Sequence, residues 1–125
     1  MATPARILIC DDEPSLRELM RISLDSDYEF AEAADATEAI ELLEDFRPNL
    51  VLLDVMMPGV SGLAVIERLR AHPELADTAV LVVSAFSENS DRRAALEAGA
   101  TGFVAKPFDP DALESLVKEL LGSRD

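Results

Sequence analysis

Four short apolar runs in this chain each end on a polar side chain that can take part in chemistry. Residues 7–10 lead into Asp11 and Asp12, residues 50–53 into Asp54, residues 80–83 into Ser84, and residues 103–105 into Lys106. Runs of this length bounded by polar residues are typical of buried parallel strands. Because ligands of an open α/β sheet bind outside the carboxyl ends of its strands, we expect these side chains to meet at one edge.

The polar residues at this predicted edge combine acids with a cation and a hydroxyl. Each has an ordinary explanation when taken alone: helix capping for Asp11 and Asp12, a turn for Asp54, a bond to nearby backbone for Ser84, and solvation for Lys106. Three carboxylates close together repel one another, however, and this costs stability unless a cation is present. A lysine and a hydroxyl suit an anionic group such as phosphate. The placement of all these residues at one edge therefore favours a binding site for a cation and an anionic group such as phosphate.

Helical patterns alternate with the apolar runs along the chain. A weak, partly alternating segment at residues 29–33 supplies a further strand. Five helices are predicted. The first has Pro14 in its first turn, the second has Asp35 as its N-cap with Glu38 three residues on in a capping-box pattern, and the third starts at Ser61 and Gly62; the last two lie across residues 91–98 and from Pro110. Strict alternation of strands and helices predicts a parallel sheet that is covered by helices on both faces.

The length and charge of the chain limit what it can be. A chain of 125 residues suits one domain, and we predict a single domain over residues 1–125 with a core at 6–121 and a short tail from Gly122. The formal net charge of −14 argues against binding of nucleic acid or anionic membrane by this chain, and it favours divalent cations or basic partner surfaces. No run approaches the ~20 apolar residues that span a bilayer, and no targeting pattern is visible, so we expect a cytoplasmic protein.

Two residue types that often carry chemistry are present only once each. Cys10 lies in the first apolar run, so we interpret it as a buried structural thiol. His72 falls near the end of the predicted third helix, away from the strand ends, and is interpreted as a surface residue. Histidine-based catalysis and a histidine-rich metal site are therefore disfavoured.

The motifs taken together resemble the receiver domain of two-component response regulators, the group typified by the chemotaxis protein CheY. The matching segments are Asp11-Asp12, residues 53–59, Ser84-Ala85, residues 99–103 and residues 106–108. They occur in the family's order and cover nearly the whole chain. The resemblance implies an α/β fold: a flavodoxin-like, doubly wound, five-stranded parallel sheet of order 2-1-3-4-5 with five helices.

The resemblance also implies a role for each residue of the predicted edge. Asp54 would accept a phosphoryl group, which Ser84 and Lys106 would bind and orient. The implied cofactor is Mg²⁺, and its ligands would be Asp11, Asp12, Asp54 and the backbone carbonyl of Met56.

Two further features follow from the resemblance. Ser84 and Phe103 would form the switch that carries the signal, and the peptide bond between Lys106 and Pro107 would be cis.

Met56 and Phe86 lie two residues after Asp54 and Ser84, and both are apolar. Neither can position water by hydrogen bonding, so we expect slow hydrolysis of the phosphorylated form.

The implied function is that of a phosphoacceptor in a two-component phosphorelay. The donor would be the phosphohistidine of a sensor histidine kinase or of a histidine phosphotransfer protein, or a small phosphodonor. The surface of the fourth helix, fifth strand and fifth helix would then switch and engage a downstream target protein, a separate output domain or, after phosphorylation, a second copy. Such a chain is not an enzyme, since it catalyses only its own phosphorylation and dephosphorylation.

Two alternatives remain open from the sequence. A phosphatase of the haloacid-dehalogenase type uses similar residues, but it places its nucleophile on the first strand and its metal-binding acids late, which is the reverse of the order here. An adaptor with a receiver fold that works without phosphorylation would not need the full set of acids, serine and lysine.

Overall fold

Strands and helices alternate along the whole of the described chain. The computed structural model describes residues 4–24, 27–57, 59–85 and 89–122, without the side chains of residues 89–91. The strands are β1 (Arg6–Cys10), β2 (Glu29–Ala33), β3 (Leu50–Leu53), β4 (Ala79–Ser84) and β5 (Gly102–Ala105). The helices are α1 (Pro14–Ser23), α2 (Ala36–Phe46), α3 (Leu63–Ala71), α4 (Asn89–Ala98) and α5 (Pro110–Gly122).

The five strands form one parallel sheet in the order β2-β1-β3-β4-β5. The predicted flavodoxin-like architecture, with its strand order and its five helices, is therefore confirmed. Strands β1 and β5 begin one residue before the apolar runs that predicted them, β4 extends by one residue at each end, and two helix boundaries also differ from the prediction. Helix α4 begins at Asn89, two residues earlier than expected, and α5 runs through Gly122, which was expected to begin the tail.

The core consists of two layers, one on each face of the sheet, because alternate strand residues point to opposite faces. On one face, Leu8, Val51 and Val80 pack under α2, α3 and α4. On the other face, Ile7, Leu52 and Leu81 pack under α1 and α5. The central strands β1 and β3 are buried on both faces, which explains why they read as continuous apolar runs. None of the helices in the described ranges is long and apolar enough to cross a bilayer.

The start and end of α2 show how local sequence defines the helix boundaries. The Asp35 carboxylate accepts a hydrogen bond of 2.8 Å from the Glu38 amide, as the capping pattern predicted. The Glu38 carboxylate reaches back, but it accepts from the amide of Ala34 at 2.7 Å, one residue before the expected partner. The helix ends at Phe46, and its C-cap residue Arg47 has a left-handed φ of 51° and precedes Pro48.

We predict that Leu52→Ala lowers the free energy of unfolding by about 3 kcal/mol, because it leaves a cavity in a central strand that has no solvent access. Urea unfolding measures this loss. The matched control is Ile22→Ala on α1, where the side chain is 70% exposed and the change should stay within about 0.5 kcal/mol. Equal losses in the two variants would contradict the assignment of Leu52 to the core.

Candidate functional site

The polar side chains expected at one edge do come together there, because the backbone continues the sheet by one residue beyond three of the strands. The Asp11 amide donates to the Ala33 carbonyl at 3.1 Å, and the Asp54 amide donates to the Cys10 carbonyl at 3.0 Å. The Lys106 amide donates to the carbonyl of Ser84 at 3.0 Å. Parallel strands end at the same edge, so these bonds place the four side chains side by side.

The Asp54 carboxylate lies at the centre of the group and is held at both oxygens. Its Oδ1 accepts hydrogen bonds from the Ser84 hydroxyl and from the Met56 amide, each at 2.8 Å. Its Oδ2 lies 2.9 Å from the Lys106 ammonium. Asp54 and Ser84 are both buried, so these bonds are formed largely out of competition with water.

Lys106 joins the two buried acids of the site. Its ammonium lies 2.6 Å from Asp11 Oδ2 as well as 2.9 Å from Asp54 Oδ2. Burial lowers the pKa of Lys106, but the hydrogen bonds and charges of Asp11 and Asp54 outweigh burial and raise the pKa above its usual range. A raised pKa means that this bridge stabilises the fold fully at neutral pH and is lost only in strong alkali. The expected repulsion between the acids is thus partly offset by a lysine.

The same edge offers a set of oxygen ligands that fits a divalent cation. Asp11, Asp12 and Asp54 each present a carboxylate oxygen, and these oxygens lie within 4.8 Å of one another. Asp11 and Asp54 are buried, whereas Asp12 is exposed to solvent. Three carboxylates against one ammonium leave a negative balance, and hard oxygen ligands are those that Mg²⁺ prefers. The backbone carbonyl of Met56 remains a predicted ligand.

Gly62 has a role at the site that the sequence did not reveal. The sequence suggested only that it starts the third helix. A Cβ atom at this position would lie 2.7 Å from the Asp54 carbonyl oxygen and 2.7 Å from Val55 Cα, which is closer than real Cβ atoms approach. Only glycine therefore lets the loop that leads to α3 pack against the backbone of the central aspartate.

The residues predicted to form the switch lie on neighbouring strands. Ser84 is buried at the end of β4, and Phe103 on β5 is half-buried against the core layer under α4. The Arg92 guanidinium of α4 lies 5.8 Å from the centre of the Phe103 ring, within cation–π range. The Lys106–Pro107 peptide bond is cis, the isomer that the resemblance implied. Phe86 lies outside the described residues.

Cys10 is buried as the sequence suggested, whereas His72, interpreted as a surface residue, is partly buried. Burial is the main cause that raises the pKa of Cys10 to about 12, so the thiol stays protonated and unreactive. His72 is the C-cap of α3, whose N-cap Gly62 approaches the backbone of Asp54, and its Nε2 lies 2.9 Å from a Glu44 oxygen. The histidine is therefore about 14 Å along the helix from the site.

The fold and the acidic edge define a flavodoxin-like α/β domain with a candidate cation and phosphate site. A model of the response regulator receiver domain family matches residues 7–118. The chain therefore belongs to this family, which also disfavours the haloacid-dehalogenase alternative.

Individual relatives agree with this membership. The chain is 38% identical to the response regulator Rre1 of Synechocystis sp. over 97% of its own length and 53% of that protein. It is 40% identical to the response regulator MprA of a Mycobacterium species over 94% of its length and 51% of that protein. The chain thus spans about half the length of these relatives.

Solved structures show the same fold. The chemotaxis response regulator CheY4 of Vibrio cholerae superimposes with a TM-score of 0.87 at 29% identity, over 95% of this chain and 100% of that one. A CheY-like receiver domain protein of Methanospirillum hungatei gives a TM-score of 0.86 at 29% identity, over 97% and 96% of the two chains.

We predict that Lys106→Met lowers the free energy of unfolding by roughly 3 kcal/mol without divalent cations, because two buried carboxylates lose their common counter-charge. Mg²⁺ should restore more stability to this variant than to the wild type, because a bound cation replaces the missing charge. Urea unfolding at pH 7, with chelator or with Mg²⁺ at matched ionic strength, measures both effects.

The matched control is Lys118→Met. Lys118 is exposed and lies 3.9 Å from Glu114 on the same helix, so its loss should change stability by less than about 0.5 kcal/mol. If Lys106→Met resembled this control, the lysine bridge would contribute nothing to the folded state.

Proposed function

We propose that this receiver domain accepts a phosphoryl group on Asp54 and passes the signal to the surface formed by α4, β5 and α5. One observation carries the proposal: the Asp54 carboxylate is bonded to Ser84 and Lys106, the residues that suit a phosphoryl group, with Asp11 and Asp12 beside it. The donor is the phosphohistidine of a sensor histidine kinase or of a phosphotransfer protein, or a small phosphodonor.

The side chains of the chain account for the steps of the transfer. An Asp54 oxygen attacks phosphorus and forms a P–O bond, while the P–N bond of the phosphohistidine breaks and the imidazole leaves with its electron pair. Charge spreads over the phosphoryl oxygens in the transition state. The Lys106 ammonium and the Ser84 hydroxyl, which already bond Asp54, are within reach of those oxygens and offset their charge.

The acidic residues hold the cofactor in this proposal. Asp11, Asp12, Asp54 and the Met56 carbonyl hold Mg²⁺, which supplies charge neutralisation for the phosphoryl oxygens when it is bound. Asp11 keeps its orientation through a bond of 2.9 Å from the Glu13 amide to its Oδ1. Burial of Asp11 and Asp54 limits the access of bulk water to the reacting oxygen.

The proposed setting is a phosphorelay in the cytoplasm. Some relatives carry names of transcriptional regulators, such as the DNA-binding dual master transcriptional regulator RpaA of Synechocystis sp.. The charge of −14 argues against nucleic-acid binding by this chain itself. The recipient of the signal is therefore an output domain, a separate target protein or a second phosphorylated copy. The chain acts only in its own phosphorylation and dephosphorylation and is no enzyme on other substrates.

We predict that incubation with acetyl phosphate and Mg²⁺ adds one phosphoryl group to the wild type, measured by intact mass, and none to Asp54→Asn. The control is Asp109→Asn, an exposed aspartate before α5 that should leave the gain unchanged. A gain that survives in Asp54→Asn would move the acceptor elsewhere. No gain in any variant would favour the phosphorylation-independent adaptor, and turnover of p-nitrophenyl phosphate would favour a phosphatase.

We also predict that beryllofluoride with Mg²⁺, a mimic of the phosphoryl group, shifts amide signals from Ala94 to Leu121 as well as those near Asp54. Ser84 and Phe103 lie on β4 and β5, so a change of partner at Ser84 alters the packing of the strands that carry α4 and α5. Two-dimensional amide spectra measure this. Shifts confined to the surroundings of Asp54 would remove the switch from the proposal.

A further inference from the structure

Arg17, which is not among the site residues named above, contacts the backbone of the site. Arg17 on α1 donates from Nη1 to the Asp11 carbonyl oxygen at 2.6 Å, and from Nε to Glu32 Oε1 on β2 at 3.0 Å. Its side chain is only 16% exposed. The guanidinium is thus fixed at both ends by charge-assisted bonds and joins α1 and the edge strand to the loop after β1.

The Asp11 carbonyl belongs to the peptide group that links Asp11 to Asp12. Sheet pairing holds the Asp11 amide on Ala33, and the Asp11 carboxylate is held by Lys106 and by the Glu13 amide. Asp12, in contrast, is exposed. The plane of the peptide before Asp12 helps to set the direction in which its side chain leaves the backbone. Arg17 fixes that plane through the carbonyl oxygen.

We propose that Arg17 is a positioning residue that holds the peptide between Asp11 and Asp12 in the orientation needed for both carboxylates to bind one divalent cation. The proposal rests on the proposed function, in which these acids bind Mg²⁺. Groups that orient metal ligands from behind typically change metal affinity by 10- to 100-fold when they are removed. The contact is to a backbone oxygen, so the pattern of apolar residues in α1 could not predict it.

Simple electrostatics predicts the opposite effect for the same residue. Arg17 is a cation bonded to the backbone of Asp11, so its removal should make the surroundings of the acids more negative and Mg²⁺ binding tighter. Positioning predicts weaker binding. The sign of the change in affinity therefore separates the two effects.

The chain contains a matched control one turn further along α1. Arg21 lies 3.3 Å from Glu32 Oε2, so it pairs with the same carboxylate as Arg17, but it is 47% exposed and its bond goes to the other oxygen. Arg21→Met removes a positive charge and a Glu32 partner without removing the bond to the Asp11 carbonyl. It therefore measures the loss of a positive charge and of a Glu32 partner while the backbone contact is kept.

The experiment measures Mg²⁺ dissociation constants by calorimetric titration of the whole chain at fixed ionic strength. The proteins are the wild type, Arg17→Met, Arg17→Lys, Arg21→Met and Asp12→Asn. We expect Arg17→Met to raise the dissociation constant about tenfold. Arg21→Met should leave it unchanged or lower it slightly. The dissociation constant of Arg17→Lys should lie between those of the wild type and Arg17→Met. Lysine keeps the charge, but it lacks the planar guanidinium that bonds both acceptors at once.

A second measurement needs no metal. The Asp12 amide nitrogen is bonded to the Asp11 carbonyl carbon, so its chemical shift reports the hydrogen bond at that carbonyl. The shift should move in both Arg17 variants and stay in place in Arg21→Met. Thermal unfolding identifies any variant that is not folded, and in that case the Arg17→Lys comparison decides.

The outcomes separate the inference from the function on which it rests. If the folded Arg17 variants bind Mg²⁺ as tightly as Arg21→Met, or more tightly, Arg17 is not a positioning residue and only its charge matters. If the wild type does not bind Mg²⁺, or if Asp12→Asn binds it equally well, the acids are not the metal site and both proposals fall. Weaker binding in Arg17→Met together with a moved Asp12 signal supports the inference.

Discussion

The bridge from Lys106 to Asp11 and Asp54 is the interaction on which the site depends. It joins the ends of three strands, since Asp11 follows β1, Asp54 follows β3 and Lys106 follows β5. Two buried carboxylates would each cost several kcal/mol without a partner. One ammonium serves both, so the sheet can bury the acids it needs. The bridge also depends on the strand order of the sheet. Because β1 and β3 are neighbours, Asp11 and Asp54 lie side by side, and Lys106 reaches both from the end of β5, on the far side of β4.

The bridge leaves the site short of positive charge. Asp12 adds a third carboxylate at the surface, so one ammonium faces three acids within a chain whose net charge is −14. Surface acids are hydrated and tolerate this imbalance, whereas Asp11 and Asp54 do not. Affinity for a divalent cation is the expected consequence, and the buried ligands make that affinity depend on backbone groups that hold them. Under the proposal for Arg17, its contact with the Asp11 carbonyl would therefore affect cation affinity as well as stability.

The sequence allowed the fold and the composition of the site to be predicted, but not its contacts. Apolar runs of four residues that end on Asp54 or Ser84 need only the geometry of parallel strands to place those residues at one edge. Gly62 could not be interpreted in this way, because its close approach to Asp54 depends on the path of the loop between them. The contact of Arg17 with the Asp11 carbonyl could not be predicted, because the apolar face of α1 carries no information about bonds to a backbone carbonyl. The early start of α4 at Asn89 was missed because its first turn lacks apolar residues.

The way in which Asp54 is bonded gives a physical reason for a signal to leave the site. Its Oδ1 is held by Ser84 at the end of β4, and its Oδ2 by Lys106 at the end of β5. Under the proposed function, a phosphoryl group attached to either oxygen displaces one of these partners. Whichever oxygen reacts, a side chain at the end of β4 or β5 must therefore find a new acceptor. Phe103 pairs in register with Val82, two residues before Ser84, so an adjustment of either strand end reaches the ring and the Arg92 guanidinium beside it. Under the proposed function the coupling needs no long chain of contacts, because Ser84 and Lys106 stand at the ends of β4 and β5, and these strands connect directly to α4 and α5 of the proposed output surface.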